Sequence, residues 1–390
     1  MGFFPVRSPE TKIFDFPQEI FPLSTAVVDQ ALREGVTPGL VAGFWKISHP
    51  QEIYLISKGD RRIHPTVQPL QRETVYDLAS LTKILVTAPL FAALVESSEL
   101  EWDDSVCRIF PEYPFYEITF AHLLSHTSGL PAWIPLYQEL KNYFEPQKIH
   151  EISIEERQQT AREIIMQTTP LTKPGARCDY SDVGFMLLGF VLEKIYSKPL
   201  NRIAEEDLWP TLGLNGFYFE PTINSVTVGR NEDVAATEDC AWRGGVLQGQ
   251  VHDDNCWAMG GFAGHAGVFG NAQSVLQFAQ TFFEAGLSEE IKNQMWTRVS
   301  TPLDCSRTMG WDTPAKDRNK SSTGHFFSDQ TVGHLGYTGT SLWMDLKKGI
   351  AVTLLTNRVH PTRKNDGIKW FRPAFHDALM EDLSNEASFI

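Results

Sequence analysis

The chain has 390 residues, 42% of them hydrophobic and 21% charged, with 25 Phe and 10 Trp. That much apolar bulk supports a large core and excludes a disordered polypeptide. A net charge of −14, with no run of Lys and Arg, excludes the basic footprint that nucleic acids and anionic membrane surfaces demand.

In chain order, residues 1–16 contain Pro5, Glu10 and Asp15 where a leader peptide would carry an unbroken apolar stretch. The expected compartment is cytoplasmic for the chain as given, or periplasmic if a leader has been removed. Residues 24–34 have the periodicity of an amphipathic helix ending at Gly35. Residues 39–47 and 52–57 read as a β-hairpin turning through Ser48, His49 and Pro50. The most apolar stretch, 84–95, contains Pro89 and is too short to span a bilayer. From about 80 to 285 the periods are mostly helical, broken by Gly- and Pro-containing loops. Residues 330–338, 341–346 and 350–356 read as three further strands, and 368–383 as a last helix. The pattern predicts an α+β architecture: an antiparallel sheet built from both chain ends and flanked by the terminal helices, with a mainly helical region inserted. Cys107, Cys178, Cys240, Cys256 and Cys305 are odd in number and form no C-x-x-C pair, so reduced thiols are expected.

Three short motifs carry the candidate chemistry. Ser80-Leu81-Thr82-Lys83 opens the most hydrophobic helix. Residues three apart share a helix face, so Lys83 reaches the Ser80 hydroxyl, and the helix start favours a developing anion. Tyr180-Ser181-Asp182 precedes the apolar helical pattern 183–195. Next to the last strands, His334-Leu335-Gly336-Tyr337-Thr338-Gly339 has glycines that let a ligand approach the backbone.

The ordered trio Ser-x-x-Lys, Tyr-x-Asn/Asp and Lys/His-x-Gly resembles the serine β-lactamase and penicillin-binding-protein superfamily. Within it the chain is most similar to the class C β-lactamase-like branch, which includes DD-carboxypeptidases and esterases. Supporting matches are Leu123–Pro131, the run Gly260–Gly267, and Leu355-Thr356-Asn357-Arg358. The resemblance implies a β-lactamase/transpeptidase-like fold, with residues 1–79 and 322–390 forming the sheet domain and 80–321 the inserted domain. The active site would lie in the cleft between them.

By position, Ser80 would be the nucleophile of an acyl-enzyme, with Lys83 and Tyr180 sharing acid and base duty. The backbone N–H groups of Ser80 and Tyr337 would form the oxyanion hole. Asp182, His334, Gly336, Thr338, Asn357 and Arg358 would support the site or contact substrate. The implied activity is cleavage of an ester or amide, DD-peptidase- or esterase-like with weak or no β-lactamase activity. A catalytically silent penicillin-binding-type sensor or scaffold is the alternative. The substrate would be a small molecule or peptide, with no cofactor, metal, nucleic acid or membrane span implied; oligomeric state is not readable.

Two positions depart from the family pattern. Asp182 stands where a neutral Asn is common, and its charge favours the Lys83 ammonium while disfavouring a Tyr180 phenolate. His334 stands where Lys is common, so carboxylates are expected to bind more weakly at pH 7 unless Arg358 supplies the charge, and to gain over neutral esters as pH falls below about 6.5. Further candidates have simpler readings. His126 is expected to be a structural hydrogen-bonding residue and His265 to pack a tight loop behind the site. His252, Asp253 and Asp254 with His265 lack the H-E-x-x-H helix of a zinc site. Tyr113, Phe115, Tyr116 and Trp133 are candidate cleft aromatics. No G-x-S-x-G elbow or G-x-x-x-x-G-K loop is present.

Overall fold

The structure, a computed structural model, describes residues 11–221, 233–284, 287–302 and 305–386. Most of the leader-peptide reading, residues 1–10, lies outside the described residues. The main sheet is built from both ends of the chain. Its principal strands are β1 (Lys12–Asp15), β2 (Gly39–Lys46), β3 (Glu52–Arg62), β4 (Thr331–Leu335), β5 (Ser341–Asp345) and β6 (Ile350–Thr356), in the spatial order β1-β3-β2-β6-β5-β4, and the short strand Gln68–Pro69 pairs with β3 as a seventh. β2 and β3 form the expected hairpin, with Gly39 opposite Gly59 and Trp45 opposite Ile53. One strand departs from expectation: β1 runs parallel to β3, so the sheet is not wholly antiparallel.

β2 is buried on both faces, which explains its nearly unbroken apolar sequence. Leu40, Ala42 and Phe44 face the terminal helices, α1 (Pro22–Arg33) and α4 (Ile368–Asn385), together with Phe21, Phe371, Phe375 and Leu379. Val41 and Trp45 point the other way, into the larger core shared with the inserted region. The start of α1 is tied to α4 by one carboxylate. Asp382 accepts the Leu23 and Ser24 N–H groups at 3.1 and 2.8 Å and the Ser24 hydroxyl at 2.7 Å. An anion there satisfies N–H groups that have no partner inside the helix.

Between β3 and β4 the described chain is mostly helical, and two of its helices bear on the site. A continuous helical run, Ala79–Glu96, begins with a tight 3-10 turn, passes through a π-helical turn at Lys83–Thr87 and ends as α2 (Ala88–Glu96). The run is longer than the sequence reading allowed and apolar enough to cross a membrane, yet 83% of it is buried inside the protein, as a core helix would be. α3 (Asp182–Tyr196) packs beside it, its start capped by the Ser181 hydroxyl, which accepts from Gly184 N–H. A small sheet of Tyr76–Asp77, Val268–Gly270 and Phe217–Phe219 was not legible in the sequence. Another correction concerns the cysteines. Cys178 and Cys305 form a disulfide with Cα atoms 5.5 Å apart, while Cys107, Cys240 and Cys256 are free.

Candidate active site

Ser80 sits on a strained turn. The preceding Ala79 has φ +48°, a left-handed conformation costly for a residue with a Cβ. Buried Asp77 holds that turn in place: one carboxylate oxygen accepts Ala79 N–H at 2.8 Å, the other His252 N–H at 2.6 Å. The helical turn then brings Lys83 Nζ to 3.0 Å from Ser80 Oγ. From the start of α3, a hundred residues away, the Tyr180 hydroxyl reaches the same Oγ at 2.8 Å.

Lys83 is fully buried, and three oxygens surround its ammonium. Besides Ser80 Oγ these are Asp182 Oδ1 at 2.7 Å and the His265 carbonyl at 3.1 Å. The loop that presents this carbonyl lies very close to α3: a Cβ on Gly264 would stand 2.2 Å from the Phe185 carbonyl oxygen. Burial alone pushes a lysine down, which is how a neutral lysine base arises. Here the Asp182 carboxylate and the Tyr180 oxygen outweigh burial, and the Lys83 pKa is raised. Burial and Asp182 likewise raise the Tyr180 phenol against the downward pull of Lys83. The resting site is therefore an ammonium–carboxylate pair beside a protonated phenol.

His334 is 2% exposed, and its Nδ1 donates to the Leu335 carbonyl at 2.8 Å. Burial, then the positive charges of Lys83 and Arg307, push its pKa well below the usual imidazole value. The expected gain of carboxylate substrates at about pH 6.5 is corrected accordingly, because burial keeps His334 neutral where an ordinary imidazole would protonate. Arg358 does not supply the missing charge either. Its guanidinium donates to the backbone carbonyls of Tyr337, Arg363 and Asn365. These bonds fix the Tyr337 peptide.

The other nominated supports are also committed to the fold. Asn357 accepts from Thr37 Oγ1 and Gly39 N–H and donates to the Arg61 carbonyl. Thr338 and Thr340 donate to the carbonyls of Asp77 and Leu78, which sews the loop after β4 to the Ser80 turn. Gly336 is required by that closeness, since a Cβ there would lie 1.9 Å from Thr340 Oγ1 and 2.7 Å from the Leu78 carbonyl oxygen. Asn357, Thr338 and Arg358 hold the surrounding loops in place through these bonds. Their donors and acceptors are spent on backbone and neighbouring side chains.

A cavity of about 290 Å³ opens beside Ser80, walled by Trp133, Asp182, Asp254, Tyr337 and Arg363 among others. Arg363 was not nominated from sequence; it pairs with Glu238 and Asp254. Arg307 was also missed. Its guanidinium carbon lies 5.3 Å from the Tyr180 ring centroid, and it pairs with Asp312 at 3.0 Å. Neither arginine has a sequence signal, because neither belongs to a motif. His126 accepts Ser181 N–H at 2.9 Å and packs on the Tyr180 ring at 4.5 Å. His265 Nε2 pairs with Asp253 at 2.9 Å and His252 Nε2 with Glu238 at 3.2 Å. Among the described residues, no group of three or more His, Cys, Asp and Glu is placed to hold a metal ion.

A hydroxyl with an amine and a phenol on it, next to a small cavity, is suited to nucleophilic acyl transfer. Comparison with known proteins fits that chemistry. The sequence profile described as Beta-lactamase matches residues 25–372. The chain belongs to the β-lactamase family. A Salmonella agona protein named "Putative D-alanyl-D-alanine carboxypeptidase" is 31% identical over 314 residues, covering 74% of this chain and 70% of that one. Among solved structures, EstCE1, a hydrolase with promiscuous acyltransferase activity, superposes with a TM-score of 0.70 at 22% identity, covering 93% of this chain and 99% of its own. A class C β-lactamase from Rhodobacter sphaeroides gives 0.67 at 19%, covering 93% and 99%. This β-lactamase-family chain accordingly has the β-lactamase-like α+β fold, and it is an enzyme of the serine hydrolase type.

Proposed function

We propose that this enzyme cleaves ester or amide bonds through an acyl-enzyme on Ser80, with DD-peptidase- or esterase-like specificity and weak or no β-lactamase activity. The observation that carries the reading is the convergence of Lys83 Nζ and Tyr180 OH on Ser80 Oγ, at 3.0 and 2.8 Å. Residues 1–79 and 322–390 act as one wall of the site and 80–321 as the other.

In this reading Lys83 and Tyr180 work as one titrating pair. Once the pair has lost a proton, it takes the Ser80 hydroxyl proton as Oγ attacks the carbonyl carbon. The backbone N–H groups of Ser80 and Tyr337 receive the oxyanion, a contribution worth roughly 3–4 kcal/mol. Tyr180 returns the proton to the leaving oxygen or nitrogen, and water then cleaves the acyl-enzyme by the reverse steps. A neutral His334 and a committed Arg358 leave little attraction for a substrate carboxylate, which favours neutral esters and amides and weakens the binding of β-lactams and carboxylate-ended D-alanyl peptides alike. The 31% identity to the Salmonella protein with the carboxypeptidase name supports D-alanyl peptides as one substrate class to test.

The decisive experiment pairs burst kinetics on p-nitrophenyl acetate with mass spectrometry of the trapped acyl-enzyme, for wild type and Ser80→Ala. A +42 Da adduct on the Ser80 peptide, absent from the variant, is expected. Undiminished turnover by the variant refutes the reading, and a stable adduct without turnover points to the silent sensor.

A further inference from the structure

The cavity beside Ser80 is small for a complete substrate, since ligand pockets usually span roughly 300–1,000 Å³. Whatever the acyl group carries beyond a few atoms must continue outward. Two aromatic residues stand on the rim, Trp133 at 49% and Tyr337 at 52% exposure. From Trp133 the aromatic surface runs on. Its ring is 6.5 Å from that of Tyr137, and Tyr137 stacks on Trp242 at 5.2 Å with 29° between the planes. Trp242, itself 44% exposed, meets buried Trp257 edge-on at 5.4 Å. Exposed aromatics scattered singly need no explanation, but a connected run leading out of a reactive cavity does.

This surface is fixed from behind. The Arg243 guanidinium lies 4.8 Å from the Trp257 ring and 5.9 Å from that of Trp242. It is held by Gln250 Oε1 and the carbonyls of Val251 and His252. Asn255 ties Tyr137 N–H to the Ile134 carbonyl, which anchors the segment bearing Trp133. Rings held this way lose little freedom on binding a flat partner.

Charge does not compete with stacking here. Each carboxylate near the cavity already faces a basic partner: Asp182 faces Lys83, Asp253 faces His265, and Asp254 faces Arg243 and Arg363. The anions that line the cavity thus face basic side chains already, among the described residues. The side of the scissile bond also follows from geometry. A leaving group must lie beside its proton donor, Tyr180, which packs among His126, His334 and Arg307. Trp133 lines the cavity with Ser80, Asp182 and Asp254, and Tyr180 is not among its lining residues, so the acyl portion is assigned to the Trp133 side.

We propose that Trp133, Tyr137 and Trp242 form an acyl-side subsite for a planar aromatic group, so that aryl-bearing acyl esters and amides are preferred over short aliphatic ones. The proposal rests on Ser80 hydrolysis for its kinetic reading, but binding tests it separately. On p-nitrophenyl phenylacetate and p-nitrophenyl acetate, which share a leaving group, wild type should favour the aryl ester about tenfold or more in kcat/KM. Trp133→Ala should cut that ratio at least about fivefold, Trp242→Ala should cut it less, and Trp133→Phe should keep most of it. In the Ser80→Ala protein, phenylacetamide should bind about tenfold tighter than acetamide by tryptophan fluorescence, with Trp133→Ala removing the difference. Equal binding of the two amides overturns the subsite even if esters are hydrolysed. Selective binding without hydrolysis keeps the subsite and removes the acyl-enzyme reading.

Discussion

The Arg307 guanidinium carbon lies 5.3 Å from the centre of the Tyr180 ring, and each residue stands two positions beyond one cysteine of the Cys178–Cys305 disulfide. One covalent link thus joins the loop carrying the proposed acid–base phenol to the segment whose cation packs on it. The segments are 127 residues apart in sequence, so nothing local holds them in register.

Replacing both cysteines by serine should therefore do two things. Opening so long a loop should cost about 2–4 kcal/mol, measured by denaturant unfolding. The kcat on a neutral ester should fall more than KM rises, because Tyr180 loses its support while the cavity beside Trp133 keeps its walls. A variant with lower stability but unchanged kcat would show that the link serves the fold alone.

The ion pair between Lys83 and Asp182 sets the pH dependence. Its effect is to hold Lys83 charged and Tyr180 protonated, the forms that cannot accept the Ser80 proton. Acylation should then rise with pH through the neutral range. Asp182→Asn removes the anion and leaves a buried ammonium uncompensated. Without that anion burial disfavours the ammonium, so Lys83 releases its proton more readily. The rising limb of the acylation rate should move to lower pH, with about a three- to tenfold gain at pH 7. Single-turnover rates across pH 5–9 measure this, and an unmoved limb would mean that another group governs the profile.

Selectivity for a substrate carboxylate should not change as pH passes through about 6.5, where an ordinary imidazole titrates, because burial holds His334 neutral there. The ratio of kcat/KM for hemisuccinate and butyrate esters of one alcohol is a direct measure. A rise near pH 6.5 would require a protonating imidazole in contact with substrate.

Glu193, on α3 away from the site, has its carboxyl pushed up from 4.5 to about 7 by burial, against the pull of Leu200 N–H and Arg162. A raised carboxyl favours the folded state only while protonated. Its ionisation thus erodes stability as pH climbs from 4.5, and the full cost applies above about 7. Glu193→Gln keeps an acceptor for Leu200 N–H without the charge. It should stabilise the protein by about 1–3 kcal/mol at pH 8 and by almost nothing at pH 4.5. Thermal melts at the two pH values decide this, and equal shifts would disprove it.

Much of this enzyme is written in local pattern. Alternation and apolar runs mark β2, β3, β5 and β6, a 3.6-residue period marks α1, α3 and α4, and the spacing of Ser80 and Lys83 follows from one helical turn. β1 and the short strands at Tyr76–Asp77, Phe217–Phe219 and Val268–Gly270 escaped notice because two to four residues carry no period; only pairing stabilises them. The disulfide partners and the stacking of Arg307 on Tyr180 were beyond sequence because they join distant segments. Arg358 and Arg363 look alike in the sequence, yet one spends its donors on three backbone carbonyls while the other lines the cavity. The protonation of Lys83, Tyr180 and His334 likewise belongs to the folded state alone. It is set by burial against the charges that folding brings within a few ångströms, and no residue type or spacing encodes that sum.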